Sequence, residues 1–446
     1  MAKPGKVRAP TGRSVAADVL VRVFRDAAFA AASLDAELDR NVQLDARERS
    51  LATELVYGTL RLRGWLEAQV AKHATRGIGS LDVHVRAHLL LAAYQVLVLT
   101  RVPDFAAVSE AVTAIGELRG KQVSGFANAV LRKVAKGPKP TPDDLARAAL
   151  AGADPDLARA ITSAIGEEGA LRLLAADAAP PAGIRVEDPG ARDAWLQRLR
   201  EARPQASFEP GAISPQAILA RGAGRLTDLP GFDEGAWSPQ EEGSQVVALA
   251  LGARPGERVL DACAGRGNKT GLLARAVGAQ GAGGSVDAAD LHDKKLETLR
   301  AELARIGLSP RHTYAVDWSV GSGGIREAYD RVLVDAPCSG TGTLRRRPEI
   351  LLRRVAGDLP KLAALQRTIL ARAASLVRPG GRVVYAVCSV LREEAEEVVA
   401  SAAEIGLDPA PFDGLVPSEG AQSFRLLPHE HGTDGYYVAS FLRRSA

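Results

Sequence analysis

Three cysteines make up the whole thiol inventory of this 446-residue chain, and each follows an apolar run. Cys338 stands in Asp335-Ala336-Pro337-Cys338-Ser339-Gly340-Thr341-Gly342, directly after a run rich in valine and leucine. Cys388 stands in Tyr385-Ala386-Val387-Cys388-Ser389 after a second such run, and Cys263 follows a third. A free cysteine commonly serves as a small buried hydrophobe. The other use is as a nucleophile, and position favours it here. Open α/β sheets bind their ligands at the carboxyl ends of strands, where Cys338 and Cys388 both fall. Two thiols on two strand ends of one sheet would face one crevice.

The segment around Cys263 carries a different chemistry. Val259-Leu260-Asp261 reads as a strand ending in an acid, and Ala262-Cys263-Ala264-Gly265-Arg266-Gly267-Asn268-Lys269-Thr270 turns from it into a helix. The glycines permit positive φ and a close approach of ligand to backbone. A helix start beside them favours an anionic group such as a carboxylate. One helix and one strand later comes Asp290, placed to accept from ribose hydroxyls. Gly-x-Gly alone also marks an ordinary tight turn. With a strand before it, a helix after it and Asp290 downstream, a nucleotide-type ligand is the better reading. Arg345-Arg346-Arg347, with Arg353 and Arg354 close behind, follows the Cys338 loop and is expected to line the same mouth and contact phosphate; a solvated charged face is the alternative. The histidines show no metal-ligand spacing, and His429 and His431 read as loop surface, so no metal is expected.

These residues need a sheet to carry them. From residue 258 onward strands and helices alternate: strands over 258–261, 284–288, 331–335 and 382–386, helices over 269–277, 294–306, 362–376 and 393–403, and a last strand over 436–442. This order predicts an α/β, Rossmann-like, mostly parallel and doubly wound sheet. Ser238-Pro239-Gln240-Glu241 reads as a capping box opening the helix before it. Residues 14–135 show apolar positions at helical spacing, and Val85 to Gln95 is apolar enough to run through the middle of a bundle. Between these parts, 136–145 reads as a linker and 146–176 as helix. Short strands near Ile184 and Ile218 suggest a small α+β connector. The expected domains are 1–137, all-α; 138–235, the connector; and 236–446, the α/β domain.

Composition narrows the classes. Hydrophobic residues at 46% and charged residues at 25% fit an ordinary globular chain, with no apolar run long enough to span a bilayer. The basic start lacks the apolar stretch of a secretory signal, and three cysteines cannot make a disulfide framework, so a cytoplasmic setting is expected. The net charge of +4 is uneven: about 21 Lys and Arg stand against about 13 Asp and Glu in residues 1–140. That basic third suits a polyanion partner, or is an incidental surplus on a solvated surface.

Together these motifs resemble the RsmB (Sun/Fmu) family of bacterial 16S ribosomal RNA cytosine-C5 methyltransferases, over nearly the whole chain. The Asp335–Gly340 and Tyr385–Ser389 motifs carry the resemblance, with the tail Gly432-Thr433-Asp434-Gly435-Tyr436-Tyr437. The N-terminal part resembles the NusB-type RNA-binding domain at Leu55–Arg61, Ala93-Tyr94-Gln95 and Asn128–Lys133. The resemblance implies S-adenosyl-L-methionine as cofactor and small-subunit ribosomal RNA as partner. It gives Cys388 the role of nucleophile at C6 of the cytosine, which activates C5. Cys338 would assist product release after the C5 proton is lost, and Asp335 would bond the polar edge of the base. Cys263, Ala264, Gly265, Arg266, Gly267, Asn268 and Lys269 would contact the cofactor, with Asp290 at its ribose, Asp317 near its adenine and Asp335 beside it. A base must leave its stack to reach such a crevice, so a single-stranded or loop nucleotide is implied.

Two departures stand out. The family's first motif runs Ala-Ala-Pro-Gly-Gly-Lys after its cysteine, where this chain has Ala264-Gly265-Arg266-Gly267-Asn268-Lys269. Asn is the next-best residue to Gly at positive φ, so Asn268 need not break the turn. The connector, Ala182-Gly183-Ile184-Arg185-Val186-Glu187, lacks the family's Asn after Arg-Val. The altered first motif motivates a rival expectation, a non-catalytic RNA-binding or ribosome-assembly factor with a drifted methyltransferase domain. A uracil-C5 methyltransferase shares the thiolate chemistry, but Asp335 suits a base with an exocyclic amine.

Overall fold

A computed structural model describes residues 9–74, 77–176, 180–278, 281, 283–326, 328–352 and 357–445. The chain divides into two compact units, one of residues 1–179 with 344–354, the other of 180–343 with 355–446.

The first unit is helical: α1 (Gly12–Asp26), α2 (Ala30–Arg40), α3 (Ala46–Arg61), α4 (Arg63–Ala71), α5 (Val83–Val98), α6 (Asp104–Arg119), α7 (Lys121–Val134), α8 (Pro142–Ala151) and α9 (Pro155–Ala175). Side chains cap the starts: Thr11 and Ser14 form a capping box on α1, and Thr141 and Asp144 another on α8. The expected linker is thus shorter than 136–145, because Pro142 already occupies the first turn of α8. α5 is buried along nearly its whole length, Leu89 to Leu97 included, as its apolar run requires. Gln95 within it accepts from Arg13 Nε at 2.6 Å. Helices α8 and α9, assigned to the connector by sequence, belong to this unit.

The second unit opens with a small antiparallel sheet of β1 (Ala182–Val186), β2 (Ser207–Pro210), β3 (Ala217–Arg221) and β4 (Trp237–Pro239), in the order β2-β3-β1-β4, with α10 (Arg192–Ala202) between β1 and β2. Ile184, Leu199, Phe208, Ile218 and Trp237 form its core. Ser238 lies on β4 opposite Arg185, so it does not cap the next helix. That helix, α11 (Glu242–Ala250), is capped by the Glu241 carboxylate, which accepts from Ser244 N–H at 3.0 Å.

Beyond α11 come β5 (Arg258–Asp261), α12 (Asn268–Val277), β6 (Ser285–Asp290), α13 (Asp293–Arg305), β7 (His312–Ala315), β8 (Tyr329–Asp335), α14 (Leu359–Ala374), β9 (Val377–Val387), α15 (Glu396–Val399), β10 (Leu407–Pro409), β11 (Ser423–Leu426), α16 (Pro428–His431) and β12 (Tyr436–Arg443). They build a sheet in the order β10-β12-β9-β8-β5-β6-β7, with β11 against β12. Strands β5 to β9 are parallel and β12 is antiparallel to β9. The fold is therefore Rossmann-like, as read from the alternation. The strand order reverses between β5 and β8, and ligands of such sheets bind at that switch. The helix expected over 393–403 is broken into short turns around α15. Ala395 leaves helical geometry at φ −111° and ψ −102°, and the Glu394 carbonyl accepts the Tyr385 hydroxyl at 2.7 Å. His429 and His431 lie on the short α16, where His431 Nδ1 accepts from Leu427 N–H.

Candidate active site

Strands β8 and β9 run parallel in register, with Asp335 opposite Ala386, so their carboxyl ends deliver two motifs to one place. Cys338 and Cys388 meet there, with their sulfurs 3.4 Å apart. Gly342 N–H donates to the Cys388 carbonyl at 3.0 Å, and Gly435 N–H donates to the Gly342 carbonyl at 2.8 Å. A Cβ on Gly342 would stand 2.0 Å from the Gly435 carbonyl oxygen. This contact gives a physical reason for glycine in both the Asp335–Gly342 motif and the Gly432–Tyr437 tail. Serine and threonine hydroxyls fix the same loops: Thr341 Oγ1 and Ser389 Oγ are 2.9 Å apart, and Val390 N–H donates to Thr341 Oγ1.

Beside the thiols, Lys269 Nζ donates to Asp335 Oδ2 at 2.6 Å. Burial disfavours the ammonium, but the charge and hydrogen bond of Asp335 outweigh it and raise the lysine above its ordinary value. The hydrogen bond with Cys388, burial, and the charges of Cys388 and Glu394 push the Cys338 thiol well up. Burial and the neighbouring carboxylates of Asp261, Asp335 and Asp290 do the same to Cys263.

The turn after β5 is built as its glycines require. Gly265 and Gly267 have φ of +57° and +91°. A Cβ on Gly267 would strike Leu299 at 2.7 Å, whereas one on Gly265 would meet nothing within 4 Å. Asn268 is the first residue of α12 and Ala27 is the sole non-glycine with positive φ among the described residues, so Asn268 has no turn to rescue. Asp290 binds the turn from the next strand: Oδ2 accepts from Gly265 N–H at 3.0 Å, and Oδ1 accepts from His292 N–H at 2.9 Å with Lys295 at 3.4 Å.

A cleft of about 320 Å³ opens between these elements. Cys263, Gly265, Asp290, Asp317, Asp335, Cys338 and Cys388 line it, which joins seven of the expected site residues. Arg266 and Asn268 are exposed, and neither they nor Ala264, Gly267 and Lys269 are among its lining residues. Asp317 accepts from both the N–H and the hydroxyl of Ser319. The sequence reading missed Trp318, whose buried indole donates to the Ala262 carbonyl at 2.7 Å and forms part of the wall, and Leu365 and Ile369 of α14. An aromatic directly after the acid of β7's loop was the available signal.

The arginine cluster goes elsewhere. Residues 344–354 belong to the helical unit. There the Arg345 carbonyl accepts from Arg61, Arg347 lies over the Phe29 ring at 4.9 Å, and Leu351 accepts from Asp154 N–H. Buried Leu344, Ile350 and Leu351 carry the segment into that unit, so Arg345-Arg346-Arg347 fold with the helices and not with the strand end that bears Cys338. Arg353 and Arg354 lie outside the described residues. Among the described residues no group of three His, Cys, Asp or Glu could hold a metal, and no helix is long and apolar enough to cross a membrane.

A cleft at the switch point of a Rossmann-like sheet, walled by Asp290, Asp317 and apolar side chains, suits a nucleoside. Sheet and site define an S-adenosylmethionine-dependent methyltransferase. Residues 248–442 match the family model described as 16S rRNA methyltransferase RsmB/F, and residues 10–136 match the NusB family. The chain is 34% identical to the ribosomal RNA small subunit methyltransferase B of Pseudomonas putida, over 97% of this chain and 99% of that one. It is 38% identical to a putative methyltransferase of Mycobacterium tuberculosis, over 90% of each. A solved methyltransferase homolog from Pyrococcus horikoshii is 26% identical, with a TM-score of 0.55, and covers 69% of this chain and 99% of its own. The crystal structure of PH0851 shares the fold at a TM-score of 0.79 and 22% identity, over 99% of this chain and 100% of that one. This chain belongs to the RsmB/F family of 16S rRNA methyltransferases and carries a NusB domain. Membership makes it an enzyme, which sets aside the expectation of a non-catalytic factor.

Proposed function

We propose that this protein transfers a methyl group from S-adenosylmethionine to C5 of a cytosine in 16S ribosomal RNA, through a covalent bond between Cys388 and C6. The observation that carries the reading is the pair of sulfurs 3.4 Å apart on adjacent strand ends, beside the Asp335–Lys269 ion pair. The names of the relatives supply the ribosomal substrate.

S-adenosylmethionine supplies an electrophilic methyl group when bound. Gly265, Asp290 and Asp317 would hold its nucleoside and Asp335 would lie towards its sulfonium, with Cys263 on the same wall. Cys388 loses its thiol proton to water, its thiolate adds to C6, and the electrons gained at C5 let that carbon take the methyl group. Asp335, oriented by Lys269, accepts from the polar edge of the base and favours a transient proton at N3, taken from water and returned to it once C5 carries the methyl group. The C5 proton then passes to water. Its bonding pair restores the C5–C6 double bond, and the C6–sulfur pair returns to Cys388. Cys338, kept as a thiol, donates to the departing thiolate. Residues 1–137, with their basic surplus, would hold the RNA, and the small sheet of the connector, β1 to β4, would also contact it.

The test uses labelled S-adenosylmethionine and bacterial small-subunit RNA, with nucleoside analysis of the product. The parent is expected to yield 5-methylcytosine, Cys388→Ala none, and Cys338→Ala a covalent RNA–protein adduct. Label in 5-methyluridine, or transfer by Cys388→Ala, would overturn the reading.

A further inference from the structure

Cys338 is gripped from both sides by two buried side chains outside its own motif. Gln366 of α14 donates through Nε2 to the Pro337 carbonyl at 2.9 Å. Glu394 Oε1 accepts from Ser339 N–H at 2.8 Å. The peptide groups before and after Cys338 are therefore each tied down, and the two ties meet, because Gln366 Nε2 also donates to Glu394 Oε1 at 3.1 Å. Glu394 Oε2 accepts the Ser339 hydroxyl at 2.5 Å. Neither side chain has exposed surface.

A carboxylate buried this deeply is costly unless its charge meets donors, and here three donors converge on it. The Glu394 residue is itself anchored from behind by the Tyr385 hydroxyl on its carbonyl. This anchoring breaks the helix that the sequence predicts over 393–403, so regular structure is given up at the point where the carboxylate reaches the Cys338 loop. Glu394 and Gln366 are absent from the lining of the cleft. Their influence on the reaction runs through Cys338, whose sulfur must stay within reach of Cys388. A functional group held this way keeps its geometry through a reaction cycle, and loosening its supports costs the step that needs it.

We propose that Glu394 and Gln366 form a buried brace that positions Cys338 for product release, without a part in forming the Cys388 adduct. The inference rests on the reading of Cys338 as the release residue. The brace assigns Glu394 and Gln366 the role of positioning residues, and their loss should resemble the loss of Cys338 itself.

The experiment compares Glu394→Gln, Gln366→Leu, Cys338→Ala and the double variant Cys338→Ala/Glu394→Gln, with small-subunit RNA and methyl-labelled S-adenosylmethionine. Glu394→Gln and Gln366→Leu are expected to keep a single-turnover burst of methyl transfer and to lose at least about tenfold in multiple turnover. They should accumulate a denaturant-stable, labelled RNA–protein adduct, as Cys338→Ala does, and the double variant should trap no more than Cys338→Ala alone. Parallel loss of burst and turnover in both brace variants would mean a merely structural role and overturn the proposal. Unchanged turnover would also overturn it. If Cys338→Ala traps adduct and the brace variants do not, the brace alone fails. If Cys338→Ala traps none, the release role fails and the brace with it.

Discussion

Lys269 and Asp335 join the first turn of α12 to the carboxyl end of β8 across the point where the strand order reverses, with Nζ 2.6 Å from Oδ2. The pair ties the turn after β5 to the loop that bears Cys338, so neither partner can be lost without freeing the other. Asp335→Asn is expected to lower kcat/KM for methyl transfer by at least about 100-fold, the range for a positioned proton-handling group. Lys269→Met should lose as much, and the double variant little more, since the pair acts as a unit. Additive losses measured in that cycle would refute the coupling.

Asp261 predicts a pH dependence of stability. Burial raises its carboxyl to about 7, against the hydrogen bond from Thr270, and its Oδ1 has no hydrogen-bond partner. A carboxyl raised on folding stabilises the protein below its unfolded value near 4, and that contribution is lost as pH rises through about 7. Stability should thus fall between pH 4 and 7 by up to about 1.4 kcal/mol per unit from this group. Asp261→Asn should flatten that part of the profile, read from urea midpoints at several pH values. An unchanged slope would show that Asp261 is ionised throughout.

Gly342→Ala tests the contact between the Cys338 loop and the C-terminal tail. The added Cβ would stand 2.0 Å from the Gly435 carbonyl, so loop or tail must move. Overpacking of this kind costs about 1–3 kcal/mol. The shift also pulls the Gly342 N–H from the Cys388 carbonyl, so the rate of adduct formation should fall with the urea midpoint. A variant with parental midpoint and rate would show that the contact yields freely.

Arg266→Ala is expected to change S-adenosylmethionine affinity by less than about threefold, as for an exposed side chain away from a ligand. Isothermal titration decides it. A larger loss would place Arg266 on the cofactor after all.

Arg185 is the connector's hold on the same turn. Its buried guanidinium donates to the Asn268 carbonyl at 2.5 Å and to Gln240 at 2.6 Å, and it pairs with buried Glu187. Arg185→Met should destabilise the protein by about 3 kcal/mol, the lower end for breaking a buried pair, because Ser238 and Arg275 remain near Glu187. The KM for S-adenosylmethionine should rise as the start of α12 loosens. A stable variant with parental KM would separate the connector from the cofactor turn.

The chemistry was legible in the chain because it sits in local patterns. Strand, acid, turn and helix recur in sequence around Cys263, and the Asp335–Gly342 and Tyr385–Ser389 segments carry thiols directly after apolar strands. The alternation that predicts a parallel sheet also puts those ends on one edge, since parallel strands share a direction. What the tertiary structure decided depends on contacts between distant segments. Periodicity cannot tell that Glu394 leaves its helix to bind Ser339, because the partner is 55 residues away. A run of arginines after Cys338 carries no sign of its destination, and the buried leucines and isoleucine around it take it to the helical unit. Ser238 has the local form of a helix cap but pairs as a strand with Arg185, and the capping passes to Glu241. Spacing along the chain determined which residues could react; packing decided which of them face the cleft and what holds them there.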